Sequence, residues 1–316
     1  MQVNSKLRLD LNEAIKRADK IIQDKSSKLR LVCKIFFTKK KRNYLFLCYA
    51  YLRSVDNFID DRIKTIDEKK NFIKNQKSLL TSLLNKNGAN INSVPEHFLY
   101  YIIRYAHSTG NTSLPDELSN MIKTFEWDLQ RLENNGIYSQ NELEQYISNQ
   151  ATSLFSIIYC FFPDQNGEIN IKSDTFSSLN YLFNLVFSSL HNLFMLGGFN
   201  EDLDSGYINI TKEEFQIYDL NENDLANNEK LKVWVANKLA LIEKLMDEQI
   251  AVVKTLPFKL KLYLYGFFPY QYIRIQRFKE YEYTIDDSDK KQFIKEVKVY
   301  LKTFIYEVKV FAEIFF

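Results

Sequence analysis

Tyr44-Leu45-Phe46-Leu47-Cys48-Tyr49-Ala50-Tyr51-Leu52-Arg53-Ser54-Val55-Asp56-Asn57-Phe58-Ile59-Asp60-Asp61 decides how this chain is read. Tyr44 to Leu52 is apolar or aromatic at nearly every position, so a helix built from it belongs in a protein interior. Asp56 and Asp60 then stand four apart, and both carboxylates project from one side of that helix, a turn from each other. Two like charges so placed repel. A divalent cation reverses the sign, because hard Mg²⁺ takes carboxylate oxygens and keeps its other positions for water and phosphate. Arg53, three residues before Asp56, reaches the same side and can bond phosphate oxygens. On a buried helix this pattern favours metal binding over a solvated acidic face.

Outward from that stretch, apolar residues recur at spacings of three and four, predicting helices over 6–23, 41–64, 67–85, 94–109, 115–134, 140–162, 172–199, 222–255, 258–282 and 288–314. Breaks coincide with turn chemistry at Asn85-Lys86-Asn87-Gly88, Ser108-Thr109-Gly110-Asn111, Asn134-Asn135-Gly136 and Pro163-Asp164-Gln165-Asn166-Gly167. Ser139 with Glu142 reads as a capping box. The 172–199 segment is apolar over most of its length and is expected at the centre of a bundle. With 8 Gly and 5 Pro in 316 residues, a turn-rich all-β fold is excluded. No linker or fixed-period repeat divides the chain. The expectation is an all-α, single-domain helical bundle over 1–316 with a central apolar cavity.

Composition narrows function further. Lys plus Arg number 42 against 40 Asp plus Glu, which gives no general attraction to nucleic acid. Aromatic residues make up 15% of the chain, 25 Phe and 20 Tyr among them, as biased composition or a ring-walled hydrocarbon pocket would both require. Cys33, Cys48 and Cys160 form no CxxC pair and read as buried thiols of a reducing compartment. The N-terminus lacks an apolar signal core and no window suits a spanning helix, so the expected location is cytoplasmic. Two surface features stay open. Lys39-Lys40-Lys41-Arg42 is a solvated helix start or an attractor for anions. The amphipathic Val308–Phe316 segment packs on the core or contacts a membrane periphery.

These residues resemble the squalene/phytoene synthase family, all-α head-to-head prenyl synthases. That family's first aspartate-rich motif, Y-A-x-x-R-x-x-D-D-x-x-D-D, is matched by Tyr49, Ala50, Arg53, Asp56, Asp60 and Asp61, with Asn57 at the second aspartate. Ser27 sits at the offset of a Ser-containing diphosphate motif whose surroundings are not intact here. Further likeness runs through Phe125-Glu126-Trp127-Asp128-Leu129, Tyr138, Glu142-Leu143, Tyr146, Ala151-Thr152, Tyr270 to Ile273 and the Tyr281/Tyr283 region. Asp128 is expected to pair with a helix end or Arg131, or to support the site at second hand.

The resemblance fails at the second motif, Q-x-x-N-x-x-R-D-x-x-E-D-x-x-x-G-R-x-Y. Its Gln and Asn fall on His191 and Phe194, its first Arg and Asp on Gly197 and Gly198, and its last Arg and Tyr on Tyr207 and Asn209. Glu201, Asp202 and Gly206 survive. Phe155 adds a ring where the family keeps a small residue, as Phe194 does, and both fill room that two prenyl chains would need. His191 reads first as a core histidine with a backbone partner and second as a base or water ligand.

The resemblance implies an isoprenoid synthase fold and a Mg²⁺-dependent enzyme that ionises geranyl, farnesyl or geranylgeranyl diphosphate. Asp56, Asp60 and Asp61, with Glu201 and Asp202, are the expected metal ligands. Arg53, Asp56 and Asp60 are the expected catalytic residues. Ser27, Tyr49, Arg53, Phe155, His191 and Phe194 are expected to contact substrate. The remodelled second motif favours prenyl transfer to another acceptor, or cyclisation, over head-to-head coupling. A true squalene or phytoene synthase and a non-catalytic relative kept as a binding module are the alternatives.

Overall fold

The computed structural model describes every residue except 1–2, 6–8, 87–88, 162–172, 222–224, 226–228, 257, 283–292 and 316. The breaks expected at Asn87-Gly88 and Pro163–Gly167, the expected helix starts at 6, 172, 222 and 288, and Tyr283 lie outside the described residues. Among those described, helices dominate: α1 Leu11–Phe36, α2 Lys39–Ile59, α3 Ile66–Leu84, α4 Val94–Thr109, α5 Ser113–Glu133, α6 Gln140–Tyr159, α7 Ser173–Gly197, α8 Phe199–Asp204, α9 Lys212–Ile217, α10 Glu229–Val253, α11 Phe258–Tyr265, α12 Phe267–Glu280 and α13 Phe293–Phe315. One strand pair, β1 Val3–Ser5 and β2 Ala89–Ile91, runs parallel with Val3 opposite Ala89. The all-α expectation holds apart from this pair.

Helix starts follow side-chain chemistry. Thr65 with Glu68, Ser93 with Glu96 and Thr211 with Glu214 each form a reciprocal capping box. The box read from sequence is also present: Ser139 N–H donates to Glu142 at 2.7 Å and Glu142 N–H donates back to Ser139 Oγ at 3.3 Å. α1 starts where Asp10 accepts from the Glu13 N–H, and it runs well past the expected end at residue 23. Asp19 takes two hydrogen bonds from Arg30, at 2.7 and 2.6 Å. A straight helix would separate residues eleven apart by about 16 Å, so this ion pair requires α1 to bend between them. The expected 258–282 helix is two helices, broken at Gly266.

The chain divides into two compact units, Met1–Gln130 with Thr152–Ile171 and Arg131–Ala151 with Lys172–Phe316. In the first, α2 packs against α1, α3 and α4, burying Phe46, Leu47, Tyr51, Val55 and Ile59. The Tyr51 hydroxyl donates to Gln76 of α3 at 3.2 Å, so the ring is buried with its polar end satisfied. Cys33 and Cys48 lie in this core, and burial pushes the Cys33 thiol up to about 12 and Cys48 well above its ordinary value. Cys160, half-buried, is raised for the same reason.

In the second unit α7 packs against α10 and α12. Ser189 Oγ donates to Gln271 at 2.6 Å, Gln249 donates to Ser189 Oγ at 2.8 Å, and Gln271 donates to Gln249 at 3.1 Å. This buried polar triangle ties the three helices in one register. α7 is central, as its apolar run predicts, but Tyr181 and Phe194 on it are half exposed, so it is not buried all round. α13 lies on α11 and α12 through Val299, Thr303, Val310 and Ile314, with Tyr306 stacked on Tyr272 at 3.9 Å. Among the described residues no helix is long and apolar enough to cross a membrane.

Candidate functional site

α2 brings the first acidic motif to its C-terminal end. Asp56 lies in the last turn, and Asp60 is the cap residue whose N–H donates to Asp56 O at 2.9 Å. Arg53, one turn back, donates to the Asp56 carboxylate, while its Nε is buried without a partner among the described residues. Burial, then repulsion from Asp60, raises the Asp56 carboxyl to about 6 despite the Arg53 contact. Asp60 also stands above its ordinary range because protein replaces water around it, although its side chain still reaches solvent; Arg53 and Lys69 pull the other way. Asp61 caps the following turn, accepting from the Ile63 N–H at 3.0 Å.

Lys69 is the residue that sequence reading missed here. It sits in the first turns of α3, just after the Thr65 cap, and its side chain is buried. Burial lowers its affinity for a proton, and the charges of Asp60 and Asp61 restore part of it. Of the other expected contact residues in this unit, Tyr49 is half-buried on α2, Ser27 is exposed on α1, and Phe155 is fully buried on α6 with Tyr159 5.6 Å away.

The second unit holds the remodelled motif. α7 ends at Gly197, Gly198 caps α8, and Glu201 and Asp202 fall in the first turn of that short helix, Glu201 exposed and Asp202 half-buried. The Asp202 carboxylate accepts from the Asn209 amide, whose oxygen accepts from Arg131 at 2.9 Å. Arg131 also donates to Gly136 O and Ile208 O and lies over the rings of Tyr138 and Tyr207. Asp202 therefore has a structural duty, tying α8 through Asn209 to a buried guanidinium.

His191, on α7, meets Tyr146 edge-on at 5.8 Å, and its Nε2 is buried with no hydrogen-bond partner among the described residues. Burial, then Arg131 and Lys238, lowers the imidazole to about 3, so it is neutral at physiological pH. Phe194 is 50% exposed; its ring lies 6.4 Å from Tyr270 and carries the Arg274 guanidinium 5.1 Å from its centre.

Arg274 is the second residue missed. A Cβ on Gly197 would lie 3.2 Å from Arg274 Nη1, so the guanidinium of α12 occupies the space that a side chain at 197 would enter. No hydrogen bond or ion pair holds it among the described residues; the Phe194 and Tyr270 rings do. The signal was adjacent to a matched segment, Tyr270 to Ile273, and one residue beyond it.

Among the described residues no three His, Cys, Asp or Glu side chains converge into a ready-made metal cage. The Asp56–Asp60 pair nevertheless fits Mg²⁺. Its donors are oxygens only, and its mutual repulsion is what a cation between the two carboxylates would relieve.

No protein-family model matches this chain. No curated protein matches it either. Among solved structures it is similar to a squalene synthase from Alicyclobacillus acidocaldarius, with TM-score 0.65 and 12% identity over 88% of this chain and 97% of that one. It is also similar to a dehydrosqualene synthase solved with a ligand, with TM-score 0.65 and 16% identity over 95% of this chain and 98% of that one. The fold of this chain is the all-helical fold of those synthases, across nearly its whole length.

Proposed function

We propose that the protein is a Mg²⁺-dependent enzyme that ionises an allylic prenyl diphosphate and passes the prenyl group to an acceptor or cyclises it. The observation that carries this reading is the Asp56–Asp60 pair: two carboxylates on a central helix, each with its proton affinity raised, and Arg53 beside them. Retaining such a pair without a cation is costly. Bound Mg²⁺ supplies electrostatic stabilisation of a departing diphosphate. Asp56 and Asp60 would hold it, and Arg53 and Lys69 are cations available to phosphate oxygens in the same unit.

The test is direct. Purified protein with Mg²⁺ should release pyrophosphate from geranyl, farnesyl or geranylgeranyl diphosphate, and release from none of the three would remove this reading. A second reading, head-to-head coupling, is favoured by the similarity to a squalene synthase and a dehydrosqualene synthase. Mass spectrometry separates the two, since a C30 product from farnesyl diphosphate or a C40 product from geranylgeranyl diphosphate belongs to coupling alone.

A further inference from the structure

α13 has two apolar faces. The inner one packs on α11 and α12. The outer one carries Val297, Leu301, Phe304, Ile305, Val308 and Phe311, all exposed, with Leu301 and Ile305 at 60% and Phe304 at 62%. Tyr300 stands beside them, also exposed. These positions recur every three to four residues and make one stripe along a helix of 23 residues, about 34 Å long. At roughly half exposure each, such side chains present about 500 Å² of apolar surface, toward the upper end of the largest patch a monomer usually shows, and a patch of that size often carries function. Phe258 and Leu262 of α11, exposed as well, extend the surface past the C-terminal end, where Phe258 meets Phe315 at 5.5 Å.

Charge names the occupant. By helical phase, Lys295, Lys298, Lys302 and Lys309 line one long edge of the stripe, between the outer and inner faces. Lysines so placed can lie along an apolar face and lift their ammonium groups to its border. The acids of α13 do not balance this edge: Glu296 accepts from Arg277 and Glu313 pairs with Lys254, which leaves Glu307 on the other side. Lys302 pairs with Glu280, whose charge Lys298 and Lys295 also face at longer range, and Lys295 lies over Tyr281, so Lys309 is the cation of this edge with no charged or ring partner among the described residues. Charges at this density keep the helix from crossing a bilayer. They suit a helix lying flat, with its apolar face among acyl chains and its cations at anionic headgroups.

We propose that the outer face of α13 docks the protein on an anionic membrane surface. The inference does not depend on the catalytic reading.

Full-length protein should co-sediment with vesicles of one part phosphatidylglycerol to three parts phosphatidylcholine at least tenfold better than with phosphatidylcholine alone. That preference should shrink in 0.5 M salt. The variant F304E/V308E should lose vesicle binding at least tenfold while its circular dichroism and melting temperature hold, because both side chains point outward. K298Q/K309Q leaves the apolar face intact and should lose the anionic preference only. Absence of wild-type binding to either vesicle overturns the proposal, as does equal binding by the variants. A wild-type dimer at micromolar concentration in sedimentation analysis, dissolved by F304E/V308E, assigns the face to a second copy of the chain and likewise overturns it.

Discussion

Asp56 is pulled two ways. Arg53 favours its charged form, while burial and the neighbouring Asp60 disfavour it, and the second influence wins because the carboxyl stands at about 6. With the folded value above the ordinary one near 4, the metal-free protein is most stable at this group below pH 4 and loses that stability as pH rises through 6. Asp56→Asn should therefore leave the stability unchanged or raise it at pH 7, by about 1 kcal/mol once solvent screening of a partly exposed group is allowed for, and should gain nothing at pH 4. The same variant should abolish pyrophosphate release. Full turnover by Asp56→Asn would remove the basis of the proposed function. In the wild type, Mg²⁺ with pyrophosphate should raise the melting temperature by binding linkage, and in the variant it should not. Arg274→Met should change the melting temperature little, since among the described residues the guanidinium is held by the Phe194 and Tyr270 rings and by no hydrogen bond or ion pair. The acids of α2 were legible because their spacing within one helix is local information. Lys69 and Arg274 were not, because helix packing alone brings one beside Asp60 and the other into the space at Gly197.

At the scale of elements, the crossing of two glycines fixes the second unit near Arg131. Gly136 has φ +74°, and a Cβ there would lie 1.9 Å from Gly206 O, next to the bridge pairing Ile137 with Ile208. Gly110 has a similar φ of +68° at the end of α4 but open space around it. The two positions separate backbone strain from collision. Gly110→Ala should cost about 1 kcal/mol in chemical denaturation, whereas Gly136→Ala should cost upwards of about 3 kcal/mol because backbone has to move. Equal costs would show that the crossing relaxes easily. Sequence predicted a turn at both places from Gly after Asn or Thr, but the partner of Gly136 lies far along the chain and had no local signal. The same limit applies to α1: periodicity ended at residue 23, and the ion pair that ties its second half to its first joins residues eleven apart. The pair β1 and β2 joins segments too short to show an alternation and too distant to suggest each other.

For the whole molecule, His191 and Asp56 give pH dependences of opposite sign. The His191 imidazole is held at about 3, below its ordinary 6.5, so stability from this group is complete above pH 6.5 and is lost as pH falls toward 3. Its ring should show no titration between pH 5 and 8 by NMR, and an imidazole titrating near 6.5 would mean that its Nε2 is hydrated. Because Asp56 gains stability over much of the range where His191 loses it, the metal-free protein should have a flatter acid limb than a chain with either group alone. His191→Gln should expose the contribution of Asp56 as increased stability near pH 5. Helices α3 to α5 were legible, since apolar period and turn residues place both of their ends within two residues, whereas the second half of α1, the short α8 and α9 and the break at Gly266 were not.

The buried thiols have a practical consequence. Cys33 and Cys48 are shut inside the first unit and Cys160 is half covered, and all three hold their protons more tightly than a free cysteine. Since the thiolate is the reactive form, the folded chain should be nearly silent toward maleimides at neutral pH. A cysteine installed at Ile305 could then take a fluorophore selectively without first stripping the native ones. Its colour would report, in real time, whether that helix face meets water or lipid.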